Sequence, residues 1–318
     1  SAYVLLHHVF GEVNGKHGQW GHVIGGMGRI TELMAEACRE AGIEICLDTP
    51  VDHVLVERGT AVGVRTARGE EIRASKIIAN VGPKLLYDRL IDPADLPADF
   101  RRMMTGYQCG SGSFRMNLAL RGLPDFTDLP GNGEHLKSGI IMAPSLDYMD
   151  CAYQDARRHG WSREPVVEML IPSLVDDSLA PAGQHVASLF CQQFAPQLPD
   201  GRHWQEERGA AVASILAVVE RYAPGFGELI LGQMALSPFD LERKFGLIGG
   251  DIFHGRMSLD QLWAARPVIG AAGYKGPIQG LYMCGSGTHP GGGVTGAPGH
   301  NAANAILRER GFLGRWLG

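Results

Sequence analysis

The stretch from Gly285 to His300, GSGTHPGGGVTGAPGH, limits what this chain can fold into more than any other segment. Glycine loses the most conformational freedom on folding, so a run this dense serves a flexible linker, a tight structural turn, or main chain pressed against another group. LYMCG (Leu281 to Gly285) before it reads as a buried strand, and HNAANAILRER after it is helical by propensity. A flexible linker has no place between two such elements. Strand, glycine loop and helix together offer unpaired N–H groups and the positive end of a helix dipole to an anion or an electron-rich ring. Gly291, Gly293 and Gly296 fit G-x-G-x-x-G, but a dinucleotide fingerprint also needs a following strand and an acidic residue about 20 positions on. The sequence stops at Gly318, so the stretch is expected to be the last piece of a sheet whose dinucleotide-binding strands come from elsewhere.

With 318 residues, 45% hydrophobic and 20% charged, the chain can bury a core and is long enough for about two domains. A formal charge of -5 without a block of like charges argues against nucleic acid or an anionic membrane surface as partner. The six cysteines are scattered singly, which suits reduced, buried thiols rather than a zinc site or a disulfide framework. No apolar run approaches the roughly 18 to 20 residues of a membrane span, and no basic-then-apolar leader opens the chain. A soluble protein of the cytoplasm, or of the mitochondrial matrix in a eukaryote, is expected. The sequence opens on Ser1, already in apolar material, which reads as a fragment.

Apolar residues at Ile30, Leu33, Met34, Ala37, Cys38 and Ala41 have helical spacing, with Gly42 placed as a C-terminal cap. Ile43 to Leu47, Val51 to Glu57, Ala61 to Ala67 and Lys76 to Asn80 read as strands, the last one buried, ending at Asn80-Val81-Gly82-Pro83. From about Pro93 to Gly255 the pattern changes. Strands are expected at Ser113 to Leu120, Val166 to Pro172 and His185 to Phe194. A long helix from Trp204 to Tyr222 should carry Val212, Ile215, Leu216, Val219 and Tyr222 on one face. The expected class is α/β with an inserted α+β domain: residues 1–92 and 256–318 form the first domain and 93–255 the insertion.

His7, His8, His17 and His22 match no metal-binding spacing, and Ser111 and Ser286 do not sit in G-x-S-x-G, so neither metal nor serine-hydrolase chemistry is supported. His289 could hydrogen-bond a ligand or anchor its own loop. Arg266-Pro267 and Asp251 to Gly255 read best as a structural hinge.

The blocks LLHHVFGEVNGKHGQWGHVIGGMG, DIFHGRMSLDQLWAARP and GLYMCGSGTHPGGGVTGAPGHNAANAI resemble the phytoene-dehydrogenase-like flavoproteins. The resemblance implies a glutathione-reductase-type FAD-binding domain, here incomplete, with an inserted substrate domain. It implies that Gly285, Ser286, Gly287, Gly292, Gly293, Val294 and Thr295 run beside the flavin, and that the helix starting near Gly296 points its N-terminus at the ring. By the same resemblance Val51 meets the adenine, Asn80 to Pro83 lie near the pyrophosphate, and Gly25 to Gly28 lie near the substrate entrance. His289 is the candidate for a catalytic group. The initial strand, Gly-rich turn and helix that hold the pyrophosphate in the family are absent from this sequence, so the chain alone is expected to be inactive.

The expected activity is desaturation or isomerisation of a small apolar substrate, polyene- or lipid-like, with hydride passing to FAD. Apolar and Met-containing segments such as Met103-Met104, Ile140 to Met142 and Met169 to Ile171 suit such a substrate. The alternative is a cofactor-free scaffold or interaction module. A homodimer is the expectation if a second copy covers the exposed half of an incomplete sheet.

Overall fold

The computed structural model describes residues 21–110 and 112–314, together with 3, 6, 12, 13 and 15–18. In chain order, the short strands β1 (Glu12–Val13) and β2 (Lys16–His17) are followed by helix α1 (Gly28–Glu40). Strands β3 (Val51–Glu57), β4 (Thr60–Thr66), β5 (Glu71–Arg73) and β6 (Ile77–Ala79) lead to helices α2 (Pro83–Arg89) and α3 (Ala98–Gly106). Then come β7 (Ser113–Leu120), β8 (Ile140–Met142), α4 (Leu146–His159), β9 (Trp161–Leu170), β10 (His185–Phe194) and α5 (Trp204–Tyr222). The chain continues through α6 (Phe226–Leu229), β11 (Ile230–Leu236), α7 (Pro238–Phe245), β12 (Leu281–Met283) and α8 (Ala297–Gly314). Among the described residues no helix is long and apolar enough to cross a membrane.

Contacts divide the chain into two compact units. The first gathers the described residues of Ser1–Trp20 with Cys46–Ser111 and Glu242–Gly318; the second gathers Gly21–Ile45 and Gly112–Leu241. Residues 93–111 and 242–255, assigned to the insertion on sequence grounds, therefore cluster with the first unit. The cause is packing: Phe100 and Met104 of α3 join the first core, and the Tyr107 hydroxyl donates to the His254 carbonyl at 2.9 Å.

In the first unit, β3, β4 and β5 form an antiparallel meander that turns at Arg58-Gly59, both with positive φ. Alternation along β3 and β4 sends Val54 and Ala61 inward. There they meet Leu86 and Tyr87 of α2, Phe100 of α3, and Leu281 and Met283 of β12. Each such large apolar side chain contributes about 1.5–3 kcal/mol by leaving water. β12 lies parallel to β6, with Leu281 opposite Ile77 and Met283 opposite Ala79. The Lys76 to Asn80 segment was expected to be buried, but Ile78 is 51% exposed, so this short strand buries one face only.

The second unit is built on one antiparallel sheet in the order β11-β7-β10-β9-β8. Phe114, Met116, Leu118 and Leu120 of β7 and Ala187, Leu189 and Cys191 of β10 point to one face. Helix α5 covers that face with Ala211, Val212, Ile215, Val218 and Val219, while Leu216 and Tyr222 sit at its half-buried margin. Helix α4 starts where the Ser145 hydroxyl accepts the Tyr148 N–H at 3.0 Å and stops at Gly160, which is left-handed.

Two expectations fail in instructive ways. Helix α1 forms as its spacing requires, closed by the Gly42 N–H donating to Arg39 O at 2.9 Å, yet none of its residues is buried. Ile43 to Leu47 adopts no strand: alternation marks residues that could line a sheet face, but a strand exists only when another strand accepts its ladder, and no described strand does.

Candidate functional site

The loop between β12 and α8 is held from beneath by an arginine. Arg266 is wholly buried and donates to four backbone carbonyls. Its Nε and Nη2 both reach Ser286 O at 3.1 and 2.7 Å, Nη1 reaches Gln261 O at 3.2 Å, and Nη2 also reaches Phe253 O at 2.7 Å and Gly255 O at 3.4 Å. A guanidinium suits this task because its fixed fork of donors serves several acceptors at once. It thereby ties DIFHG (Asp251 to Gly255) to the glycine stretch. Asp251, also buried, accepts from Gly110 N at 2.7 Å and Phe253 N at 2.9 Å.

The first half of the glycine stretch is pressed against protein. A Cβ on Gly285 would stand 2.5 Å from Asn80 Oδ1, on Gly291 2.7 Å from Met257 Cε, and on Gly292 2.6 Å from Phe253 Cδ1; on Gly287 it would overlap Pro83. The rigid Pro83 and Phe253 rings require glycine at Gly287 and Gly292, whereas at Gly291 the Met257 side chain could yield and the φ of 106° is what favours glycine. Thr288, fully buried, returns its N–H and hydroxyl to Gly285 O at 3.0 and 2.8 Å and makes the turn rigid.

From Gly293 onward the loop leaves that packing. Gly293, Val294, Thr295 and Gly296 are exposed, and a Cβ on Gly293 or Gly296 would meet nothing closer than Thr295 Cγ2 at 3.6 Å. Val294 is 78% exposed with φ of 55°, a conformation that costs a β-branched residue about 1–3 kcal/mol. Thr295 Oγ1 accepts the Ala297 N–H at 3.2 Å and caps the start of α8. The result is a side-chain-poor rim at the positive end of a helix.

His289 lies between the two halves. Its carbonyl accepts the Tyr274 hydroxyl at 3.0 Å, while its ring Nδ1 is buried without a hydrogen-bond partner. The backbone anchors the loop, and the ring keeps a polar atom free for a further group. Val51, 38% exposed, stands apart from these residues at the start of β3, opposite Thr66 in the meander. Gly82, Lys84, Cys109, Leu247, Ile248 and His254 line a small cavity of about 10 Å³. Burial lowers the His254 pKa, against the pull of Asp251, and raises the Cys109 thiol to about 12.

Gly25 to Gly28 belong to the second unit. Gly25 N donates to Asp176 Oδ2 at 2.7 Å, so within this unit the turn is a carboxylate-capped helix start. The Ser178 hydroxyl and the Gly25 amide together hold the Asp176 pKa below its ordinary value. His7, His8 and Ser111 lie outside the described residues.

Arg266 was legible only as part of a hinge. The signal available was a cation inside the otherwise apolar LWAARPVIG, where a buried charge demands several acceptors.

Of the glycine stretch, only Gly293 to Gly296 leave main chain uncovered against which a flat cofactor could stand. No such room is left at Gly285, Gly287, Gly291 or Gly292, where protein atoms already fill the cradle.

A family model described as flavin containing amine oxidoreductase matches residues 4–118. The chain is 39% identical over 317 residues to rat pyridine nucleotide-disulfide oxidoreductase domain-containing protein 2, covering 97% of this chain and 55% of that protein. It is 28% identical over 293 residues to the neurosporene-forming phytoene desaturase of Cereibacter sphaeroides, covering 90% and 53%. The chain thus spans about half the length of the curated relatives it matches. Among solved structures, an oxidoreductase from Methanosarcina mazei superposes with a TM-score of 0.58 at 16% identity, over 90% of this chain and 55% of the other, a likeness of fold.

Proposed function

We propose that this chain is part of an FAD-dependent oxidoreductase acting on an apolar, polyene- or lipid-like substrate, and that the rim from Gly293 to Gly296 is its flavin-facing wall. One observation carries the reading: of a single glycine-rich loop, one half is filled by protein and the other half is bare main chain turned outward at a helix start. Positive φ at Gly293 and Gly296 accounts for glycine there, and the turn so made leaves main chain uncovered beside the exposed Val294 and Thr295.

FAD, when bound, supplies the acceptor for a hydride from the substrate. The chain's own residues do the rest. Arg266 fixes the Ser286, Phe253 and Gly255 carbonyls, so the rim does not yield when a ring presses on it. The first turn of α8 presents N–H groups without intrahelical partners, which favour electron-rich atoms. His289 Nδ1, a buried atom with no partner among the described residues, is assigned a hydrogen bond to cofactor or substrate. Val51 and Asn80 to Pro83 are assigned to the adenine and pyrophosphate sides. The first unit carries the cofactor, and the second unit, with its broad sheet, carries the substrate.

A cofactor-free scaffold is the second reading, favoured by the protein-filled half of the loop. Titration of FAD separates them: quenched flavin fluorescence and a raised melting temperature are expected, the latter reaching about 2.7 kcal/mol of stabilisation at a hundredfold excess over Kd. Gly293→Val should weaken both responses, and because φ at this position is 141° it should also lower the melting temperature of the unliganded protein. A flat titration leaves the scaffold.

A further inference from the structure

The open face of the second unit's sheet carries a cation where an apolar substrate would call for none. Register places Leu236, Arg115, Phe190, Glu168 and Ile141 in one row across all five strands, β11 to β8, on the face turned away from α5. The next row holds Met234, Asn117, Ser188 and Leu170. Ile141 and Met234 are 64% and 46% exposed, and Asn117 is exposed as well, so the face is open.

Arg115 stands in the middle of these rows. Its guanidinium lies 5.2 Å from the centre of the Phe190 ring, and Nη2 donates to Ser188 Oγ at 2.9 Å. Among the described residues no carboxylate touches it; it is half-buried, and loss of water lowers its pKa against a weaker through-space pull from Glu168. Glu168, the nearest carboxylate on the face, lies beyond Phe190 on β9 and turns its Oε1 toward Gly139. The ring thus holds the guanidinium in place, and Glu168, the anion in its row, acts on it through space without touching it. A fork of N–H donors fixed among Leu, Phe, Met and Ile side chains and left without a carboxylate complements an anion on an apolar body.

We propose that this face binds an amphipathic ligand with a carboxylate end, and that Arg115 receives the carboxylate while Met234, Leu170 and Ile141 receive the chain. The inference rests on the proposed function only in taking that ligand to be the substrate. It names a substrate class: long apolar molecules ending in a carboxylate.

The test is direct binding, followed by calorimetry on this chain without flavin, of decanoate and of decanol. Decanoate should bind about tenfold or more tighter than decanol, because a charge-assisted, forked contact is added to the same apolar burial. Arg115→Met should abolish that difference and leave decanol binding unchanged. Arg115→Lys, which keeps the charge but loses the planar stack, should fall between and serves where the methionine variant does not fold. Equal binding of decanoate and decanol to the native chain, or undiminished decanoate binding by Arg115→Met, overturns the proposal, as does no decanoate binding at all. A failed FAD titration with preserved decanoate selectivity would remove the redox reading and leave this one standing.

Discussion

Arg266 and Ser286 are joined by two hydrogen bonds to one carbonyl oxygen, from Nη2 at 2.7 Å and from Nε at 3.1 Å, and this pair sets the position of the whole loop before α8. Arg266→Met keeps the length of the side chain but leaves the carbonyls of Ser286, Phe253 and Gln261 buried without their donor. The expected loss is about 3 kcal/mol or more, read as a lower urea midpoint. Arg266→Lys should recover less than half of that, because one ammonium cannot span acceptors arranged for a fork. A methionine variant as stable as the native chain would remove Arg266 from its role as the brace.

Gly287 and Gly299 separate the two demands on the glycines. A methyl group on Gly287 overlaps Pro83, so Gly287→Ala should cost about 1–3 kcal/mol. On Gly299, inside α8, it meets only Cys284 O at 3.8 Å, so Gly299→Ala should leave the fold unchanged or stabilise it by up to about 1 kcal/mol. If the start of α8 approaches a cofactor, the same alanine weakens FAD binding while the melting temperature holds or rises. Thermal melts of both variants, each with an FAD titration, show whether stability and binding come apart.

Much of this architecture could be read from local pattern. β7, β10 and α5 were found at their full extent because each buries one face within the unit it belongs to, so periodicity and packing coincide. Strand β11 was missed since ILGQMAL shows no alternation; it is a strand because β7 offers it a ladder. Ile43 to Leu47 shows the converse, alternation without a partner. The glycine stretch was recognised as a place of close approach, but which group approaches could not be read: Asn80, Pro83 and Phe253 stand roughly 30 to 200 positions away in sequence, and only folding brings them to Gly285, Gly287 and Gly292. Arg115 was passed over for the same reason, its meaning residing in Phe190 and Ser188 on the neighbouring strand.

Asp176 links pH to the start of α1. Its carboxylate accepts from Gly25 N at 2.7 Å and from Ser178 N and Oγ at 3.1 and 2.6 Å, contacts that lower its pKa. A depressed carboxylate stabilises the fold above its ordinary pKa and loses that contribution as pH falls through the lower, folded value. The amide of Gly25 should therefore be protected from hydrogen exchange near neutrality and lose protection below about pH 4. Asp176→Ala, which removes the acceptor, should show the unprotected state of the Gly25 amide at every pH. Protection that survives in the alanine variant would mean the turn is held by something other than the carboxylate.

At high pH the first unit should fail from its buried acids. Burial raises the pKa of Cys109 to about 12 from its ordinary 9.0, with Asp251 adding to the rise, and burial raises Tyr87 and Tyr107 from 10.0 as well. These groups are neutral in the fold and ionise first in the unfolded chain. Their stabilising contribution is complete below pH 9 and declines as the medium becomes more alkaline, toward the folded values. Urea midpoints measured between pH 8 and 11 should fall steadily above about pH 9. Cys109→Ala should flatten the part of that fall that begins at the thiol's ordinary pKa, leaving the tyrosines' part in place. Alkylation gives an independent reading: at pH 8 iodoacetamide should modify the exposed Cys151 well before the desolvated Cys109, since the thiolate is the reactive form. Labelling of Cys109 as fast as Cys151 would place its thiol in water, and the alkaline slope would then need another source.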